Sequence, residues 1–122
     1  MKKILVVDDN PSILEIFTIL LEEKGYNVTA LQNGEKVIDL AKEMLPDLIL
    51  LDIMLSGTNG IEICKNLKSL PETKDIPVVM VSAHSNPASV YHYCPADAFI
   101  EKPFNNADFT TVIRSQLYKK AK

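Results

Sequence analysis

Three continuously apolar runs, Ile4–Val7, Leu48–Leu51 and Val78–Val81, constrain this 122-residue chain more than any other feature. A strand with one wet face alternates apolar and polar residues. An unbroken run has to be covered on both faces, as in a parallel sheet with helices on either side. Two weaker strand candidates lie at Asn27–Leu31 and Ala98–Ile100.

Helical stripes separate these strands. Ile13, Ile16, Phe17, Leu20 and Leu21 recur at helical spacing, with Asn10 as N-cap, Pro11 at the first helical position and Gly25 as the stop. Val37, Leu40, Ala41, Met44 and Leu45 repeat the pattern and end at Pro46. A third helix is predicted over about Ile61 to Leu70, on Ile63, Cys64, Leu67 and Leu70, and a last one through Phe109, Val112, Ile113 and Leu117. The segment "SNPASVYHYCPAD", bracketed by Pro87 and Pro95, has room for a short helix of about two turns. Five β-α repeats follow. The expected fold is α/β: a flavodoxin-like, doubly wound, five-stranded parallel sheet of order 2-1-3-4-5 with five helices, one domain over residues 1–122.

The bulk numbers exclude several functions. An apolar content of 47% supports a real core, and 13 Lys+Arg against 16 Asp+Glu leave a net charge of -3, without the basic stripe of a nucleic-acid surface. Lys119, Lys120 and Lys122 read as a solvated tail. The apolar runs are far short of the ~20 residues that span a bilayer, and the start breaks at Asp8, too early for a signal peptide. Cys64 and Cys94 are far apart with no CxxC, so reduced thiols in a cytoplasmic protein are expected. His84, His92 and Cys94 lack the paired spacing of a structural zinc site.

Sites in open α/β sheets form beyond the carboxyl ends of the strands. Asp8 and Asp9 follow the first strand, Asp52 ends the third, Ser82 ends the fourth and Lys102 leaves the fifth. Each alone is ordinary, since Asp favours turns, Ser caps and Lys surfaces. Together, in an order that makes strands one, three and four neighbours, they form a site. Three carboxylates in one crevice call for a cation, and oxygen-only ligation suits Mg²⁺. A lysine and a hydroxyl opposite complete a cradle for a phosphoryl group.

"VVDDN" at Val6–Asn10, "LILLDIMLSGTNG" at Leu48–Gly60, "VVMVSA" at Val78–Ala83 and "AFIEKPF" at Ala98–Phe104 resemble, in this order, the response-regulator receiver domain of bacterial two-component signalling, a chemotaxis-regulator-like module, over essentially the whole chain. The resemblance implies that Asp52 is the phosphoacceptor. It implies that Asp8, Asp9, Asp52 and the backbone carbonyl of Met54 hold Mg²⁺, and that Ser82 and Lys102 bind the phosphoryl group beside the small Ala83. It makes Phe99 and Ser82 the switch, and Met54 and His84 the positions that tune the phosphoryl lifetime. Hydrolysis is expected to be slow, since Met54 offers no polar group to orient water.

The implied protein is a signalling phosphoacceptor that assists its own phosphorylation and dephosphorylation, and not a dedicated enzyme. Its implied donor is a sensor histidine kinase or a histidine phosphotransfer protein. Its output runs to a downstream protein through the face of the fourth helix, fifth strand and fifth helix, with no nucleic-acid or membrane contact of its own; a homodimer is left open, as is membership of a longer protein.

Some positions depart from the family pattern. Ser56 stands where many receivers have proline, Asn59 where many have aspartate, and Pro95 replaces a customary glycine region. Tyr91, Tyr93 and Cys94 suit either a docking patch or packing onto the sheet. Three other readings compete. A pseudo-receiver that never takes phosphate usually lacks an acid or the lysine, and none is missing here. A flavin or nucleotide binder needs a phosphate-cradling first loop, which "DDNPS" is not. An aspartate-based phosphatase needs its two acids after the first strand spaced by two residues, whereas Asp8 and Asp9 are adjacent.

Overall fold

The computed structural model describes residues 1–55, 58–82, 96–101 and 105–118, with the side chains of 54, 55, 58 and 82 left aside. Its elements run β1 (Lys3–Val7), α1 (Pro11–Glu23), β2 (Asn27–Leu31), a 3₁₀ turn (Gly34–Lys36), α2 (Val37–Met44), β3 (Leu48–Asp52), β4 (Met54–Leu55), β5 (Thr58–Asn59), α3 (Gly60–Ser69), β6 (Val78–Ser82), β7 (Ala98–Glu101) and α4 (Asn106–Leu117). The five long strands form one parallel sheet of order β2-β1-β3-β6-β7. Counted along the sheet strands this is the expected 2-1-3-4-5. Four α-helices lie among the described residues; the fifth expected helix falls in the segment 83–95, outside them.

The apolar runs are central strands for the reason their composition suggests. Ile4 to Val7, Leu48 to Leu51 and Val78 to Val81 are almost fully buried, and alternate residues point to opposite faces. Leu5, Val7, Ile49, Leu51, Val78 and Met80 pack with Val37 and Ala41 of α2 and with Ile63, Cys64 and Leu67 of α3. Ile4, Val6, Leu48, Leu50, Val79 and Val81 pack on the other face with Leu14, Phe17 and Leu21 of α1 and with Phe109, Ile113 and Leu117 of α4. The Phe17 and Phe109 rings stack there at 5.2 Å and 5°.

Two helical stripes differ from expectation. In α1 the buried residues are Leu14, Phe17 and Leu21, while Ile16 is 48% exposed. Apolar residues surround much of this helix, and packing against Phe109 selects the Leu14 face. Leu45 leaves the α2 stripe because Pro46 stops the helix. The chain turns left-handed at Leu45 (φ 46°), which is 53% exposed.

The stop at Gly25 holds. Its φ of 88° lets the N–H of Gly25 reach the Glu22 carbonyl (3.0 Å) and that of Tyr26 the Leu21 carbonyl (3.2 Å), a Schellman closure.

Two further features were not legible. Cys64 is fully buried on α3 and disulfide-bonded, where a reduced thiol is expected from the sequence. Cys94 lies outside the described residues. Lys68 of α3 forms an ion pair with Asp97, just ahead of β7. Its ammonium also donates to the Ile76 carbonyl (2.8 Å), and the same Asp97 oxygen accepts the Val78 N–H (2.8 Å). This network ties α3 to the start of β6 and the approach to β7.

Candidate functional site

The strand exits converge as the topology requires. Val7 is in register with Leu51, so Asp8, one step beyond β1, stands beside Asp52 at the end of β3. The carboxylates of Asp8, Asp9 and Asp52 each bring an oxygen within 4.8 Å of the others. Asp8 is 1% exposed and Asp52 7%, with Asp9 half-buried.

The turn into α1 fixes the acid pair. Asp8 Oδ1 accepts the Asn10 N–H (2.9 Å), and Asn10 Oδ1 accepts the Ser12 N–H (2.9 Å), capping the helix. The Asp8 N–H itself extends the β1–β2 ladder to the Leu31 carbonyl (3.2 Å). Asn10, read from sequence only as a cap, therefore also orients Asp8.

On the far side of Asp52 lies an element that sequence periodicity does not reveal. Met54–Leu55 and Thr58–Asn59 pair as a short antiparallel ribbon between β3 and α3, with Met54 opposite Asn59. Asn59 Oδ1 accepts the Ile61 N–H (2.8 Å) and caps α3. Asparagine and aspartate fill this capping role about equally well. The Ile53 N–H donates to the Val81 carbonyl (3.0 Å), and the Gly60 N–H to the Ile53 carbonyl (3.1 Å). The peptides following Asp52 are thus held from both sides.

Asp52 is in register with Val81, and Ser82 with Glu101, so the backbone of Ser82 ends β6 one step beyond the partner of Asp52. Phe99 lies in β7 opposite Met80, half-buried against the core shared with α2 and α3. Lys102, His84, Ala83, Tyr91 and Tyr93 are outside the described residues, as are the side chains of Ser82 and Met54. Of the residues expected at the site, Asp8, Asp9 and Asp52 are brought together.

Hard carboxylate oxygens gathered at this spacing, with no sulfur or imidazole among the donors found, fit a small hard cation such as Mg²⁺. No helix among the described residues is long and apolar enough to cross a membrane.

Comparison with known proteins agrees with this geometry. Residues 4–114 match the family described as response regulator receiver domain. The chain is 36% identical over 118 residues to the polar-differentiation response regulator DivK of Brucella anthropi, covering 95% of this chain and 96% of that protein. It is 35% identical over 118 residues to the DNA-binding response regulator MtrA of Mycolicibacterium smegmatis, covering 95% of this chain and 50% of that protein. The chain thus spans about half the length of the MtrA regulators it matches. Among solved structures, the signal receiver domain of a signal transduction histidine kinase from Syntrophus aciditrophicus superposes with a TM-score of 0.90 at 29% identity, over 100% of this chain and 96% of that one.

Proposed function

The chain belongs to the response regulator receiver domain family, and from that premise we propose that Asp52 accepts a phosphoryl group from a phosphohistidine on a sensor histidine kinase or a histidine phosphotransfer protein. The observation that carries this reading is the convergence of Asp8, Asp9 and Asp52, two of them almost wholly buried, at the carboxyl edge of the central strands.

A carboxylate oxygen of Asp52 attacks phosphorus, the P–N bond breaks, and its electron pair returns to the imidazole. Phosphoryl transfer of this kind asks the protein mainly for positioning and charge neutralisation. Asp8, Asp9, Asp52 and the Met54 carbonyl would hold Mg²⁺, which neutralises charge on the transferring group. Asp8 is kept in place by the Asn10 N–H, and the backbone after Asp52 by Val81 and Gly60. Lys102 and Ser82 take the phosphoryl oxygens. Ser82, drawn toward them, moves the loop that follows β6, and Phe99 turns inward in response. The altered face, built on the fourth helix of the family fold with β7 and α4, then meets a downstream protein. Met54 and His84 set the lifetime, which is long because Met54 does not orient water. The signalling takes place in the cytoplasm.

The test is to incubate the protein with Mg²⁺ and acetyl phosphate and to weigh it intact beside Asp52→Asn. One added phosphoryl group, absent in the variant and absent with chelator, is the expected result. A folded, Mg²⁺-binding wild type that gains no mass from acetyl phosphate or from a phosphorylated histidine kinase would instead mark a pseudo-receiver.

A further inference from the structure

Gly60 is the first residue of α3, and it lies against the backbone that carries Asp52. A Cβ built at Gly60 would overlap the Asp52 carbonyl oxygen and lie 2.9 Å from both Cα and the carbonyl oxygen of Ile53. These are main-chain atoms, so no side chain can swing aside to make room. Conformation is not the reason for glycine here. Positive φ among the described glycines occurs only at Gly25, where a Cβ would meet open space. Gly25 is needed for its backbone angle, and Gly60 for the space.

The Asp52–Ile53 segment has little freedom to retreat. Asp52 is in register with Val81 in the sheet, and the Ile53 N–H is bonded to the Val81 carbonyl. On the other side the Gly60 N–H holds the Ile53 carbonyl, and the Asn59 cap fixes where α3 begins. The helix start and the central sheet thus grip the same peptides.

We propose that Gly60 is a positioning residue for the phosphoacceptor. Its missing side chain seats the N-terminus of α3 directly on the Asp52–Ile53 backbone, and this sets where the Asp52 carboxylate and the Met54 carbonyl stand relative to Asp8 and Asp9. The inference rests on the reading of Asp52 as phosphoacceptor. Alanine at position 60 has to push the Asp52–Ile53 backbone by up to about 1 Å, and misplacement on that scale costs a reaction about 100-fold.

The experiment compares wild type, Gly60→Ala and, as a mild core variant on the opposite face of the sheet, Ile113→Val. Three readouts are taken: the phosphorylation rate with acetyl phosphate at saturating Mg²⁺, the Mg²⁺ affinity from amide chemical shifts, and hydrogen exchange at the Ile53 N–H of the metal-free protein. Gly60→Ala is expected to lose about 100-fold in maximal rate, to bind Mg²⁺ more weakly, and to exchange faster at Ile53. The donor concentration for half-maximal rate stays near that of wild type, and Ile113→Val matches wild type in all three. A folded Gly60→Ala with rate and Mg²⁺ affinity within threefold of wild type would overturn the inference.

If Gly60→Ala does not fold, Asn59→Ala decides. Releasing the cap loosens the same seat, so a slower rate and faster Ile53 exchange support the inference, and wild-type values for both overturn it. If wild type itself takes no phosphoryl group, the functional reading fails. The positioning role then stands or falls on Mg²⁺ affinity and Ile53 exchange.

Discussion

Asp52→Asn is expected to stabilise the metal-free protein, the opposite of the usual effect of changing a buried residue. One carboxylate oxygen from each of Asp8, Asp9 and Asp52 lies within 4.8 Å of the other two. At that separation two unit charges repel by about 3.5 kcal/mol at an effective dielectric constant of ~20. Neutralising Asp52 removes two of the three pairwise repulsions in the cluster. Water at the half-exposed Asp9 and the hydrogen bond from the Asn10 N–H to Asp8 offset much of that energy. A net gain of about 1–2 kcal/mol for the variant is a reasonable remainder of those terms.

Mg²⁺ should reverse the order. An ion held at 100 times its dissociation constant stabilises the fold that binds it by about 2.7 kcal/mol, and Asp52→Asn forfeits most of this. Urea unfolding of both proteins, in chelator and in excess Mg²⁺, measures all four stabilities from midpoints and slopes. Wild type below the variant in chelator and above it in Mg²⁺ is the predicted crossing. A variant less stable than wild type by 1 kcal/mol or more in chelator, about the usual cost of a point mutation, with Mg²⁺ shifting both proteins equally, would refute the account of the cluster as a cation site.

Two other outcomes follow from groups away from the site. Asp97→Ala leaves the largely buried Lys68 ammonium without its carboxylate and removes an acceptor from the Val78 N–H; a loss of about 3 kcal/mol in urea unfolding, the low end for a broken buried pair, is expected, with phosphorylation of the folded fraction unchanged. The Tyr26 phenol is pushed above its ordinary value of 10.0 mainly by burial, with Tyr118 adding to the shift and Arg114 opposing it. Its folded form holds the proton more tightly than its unfolded form, so this contribution is complete below about pH 10 and is lost as pH rises through the folded-state value. Tyr26→Phe should flatten the alkaline limb of the stability–pH curve, and an unchanged limb would contradict the assignment.

Legibility from sequence tracked how local the physical cause was. β1, β3 and β6 were readable because strands covered on both faces are written as unbroken apolar runs, and Asp8, Asp9 and Asp52 because they interrupt those runs at the carboxyl ends. The buried face of α1 was misread at Ile16 because residues 13, 14, 16, 17, 19, 20 and 21 are all apolar. Any of several stripes satisfies helical spacing, and only the stack on Phe109 chooses among them. The β4–β5 ribbon escaped because two-residue strands carry no periodicity. Lys68 and Asp97 meet only through tertiary folding. Nothing in the local sequence marks Gly60, because its meaning depends on how closely α3 approaches Asp52.

The most direct test of the central claim is to find where the phosphoryl group sits. Protein treated with Mg²⁺ and acetyl phosphate is reduced with borohydride, which converts an aspartyl phosphate to homoserine, and its peptides are then sequenced by tandem mass spectrometry. Homoserine at position 52 and nowhere else is the predicted result. Homoserine at Asp8 or Asp9, or an unmodified Asp52 in a sample that has gained the phosphoryl mass, would contradict it.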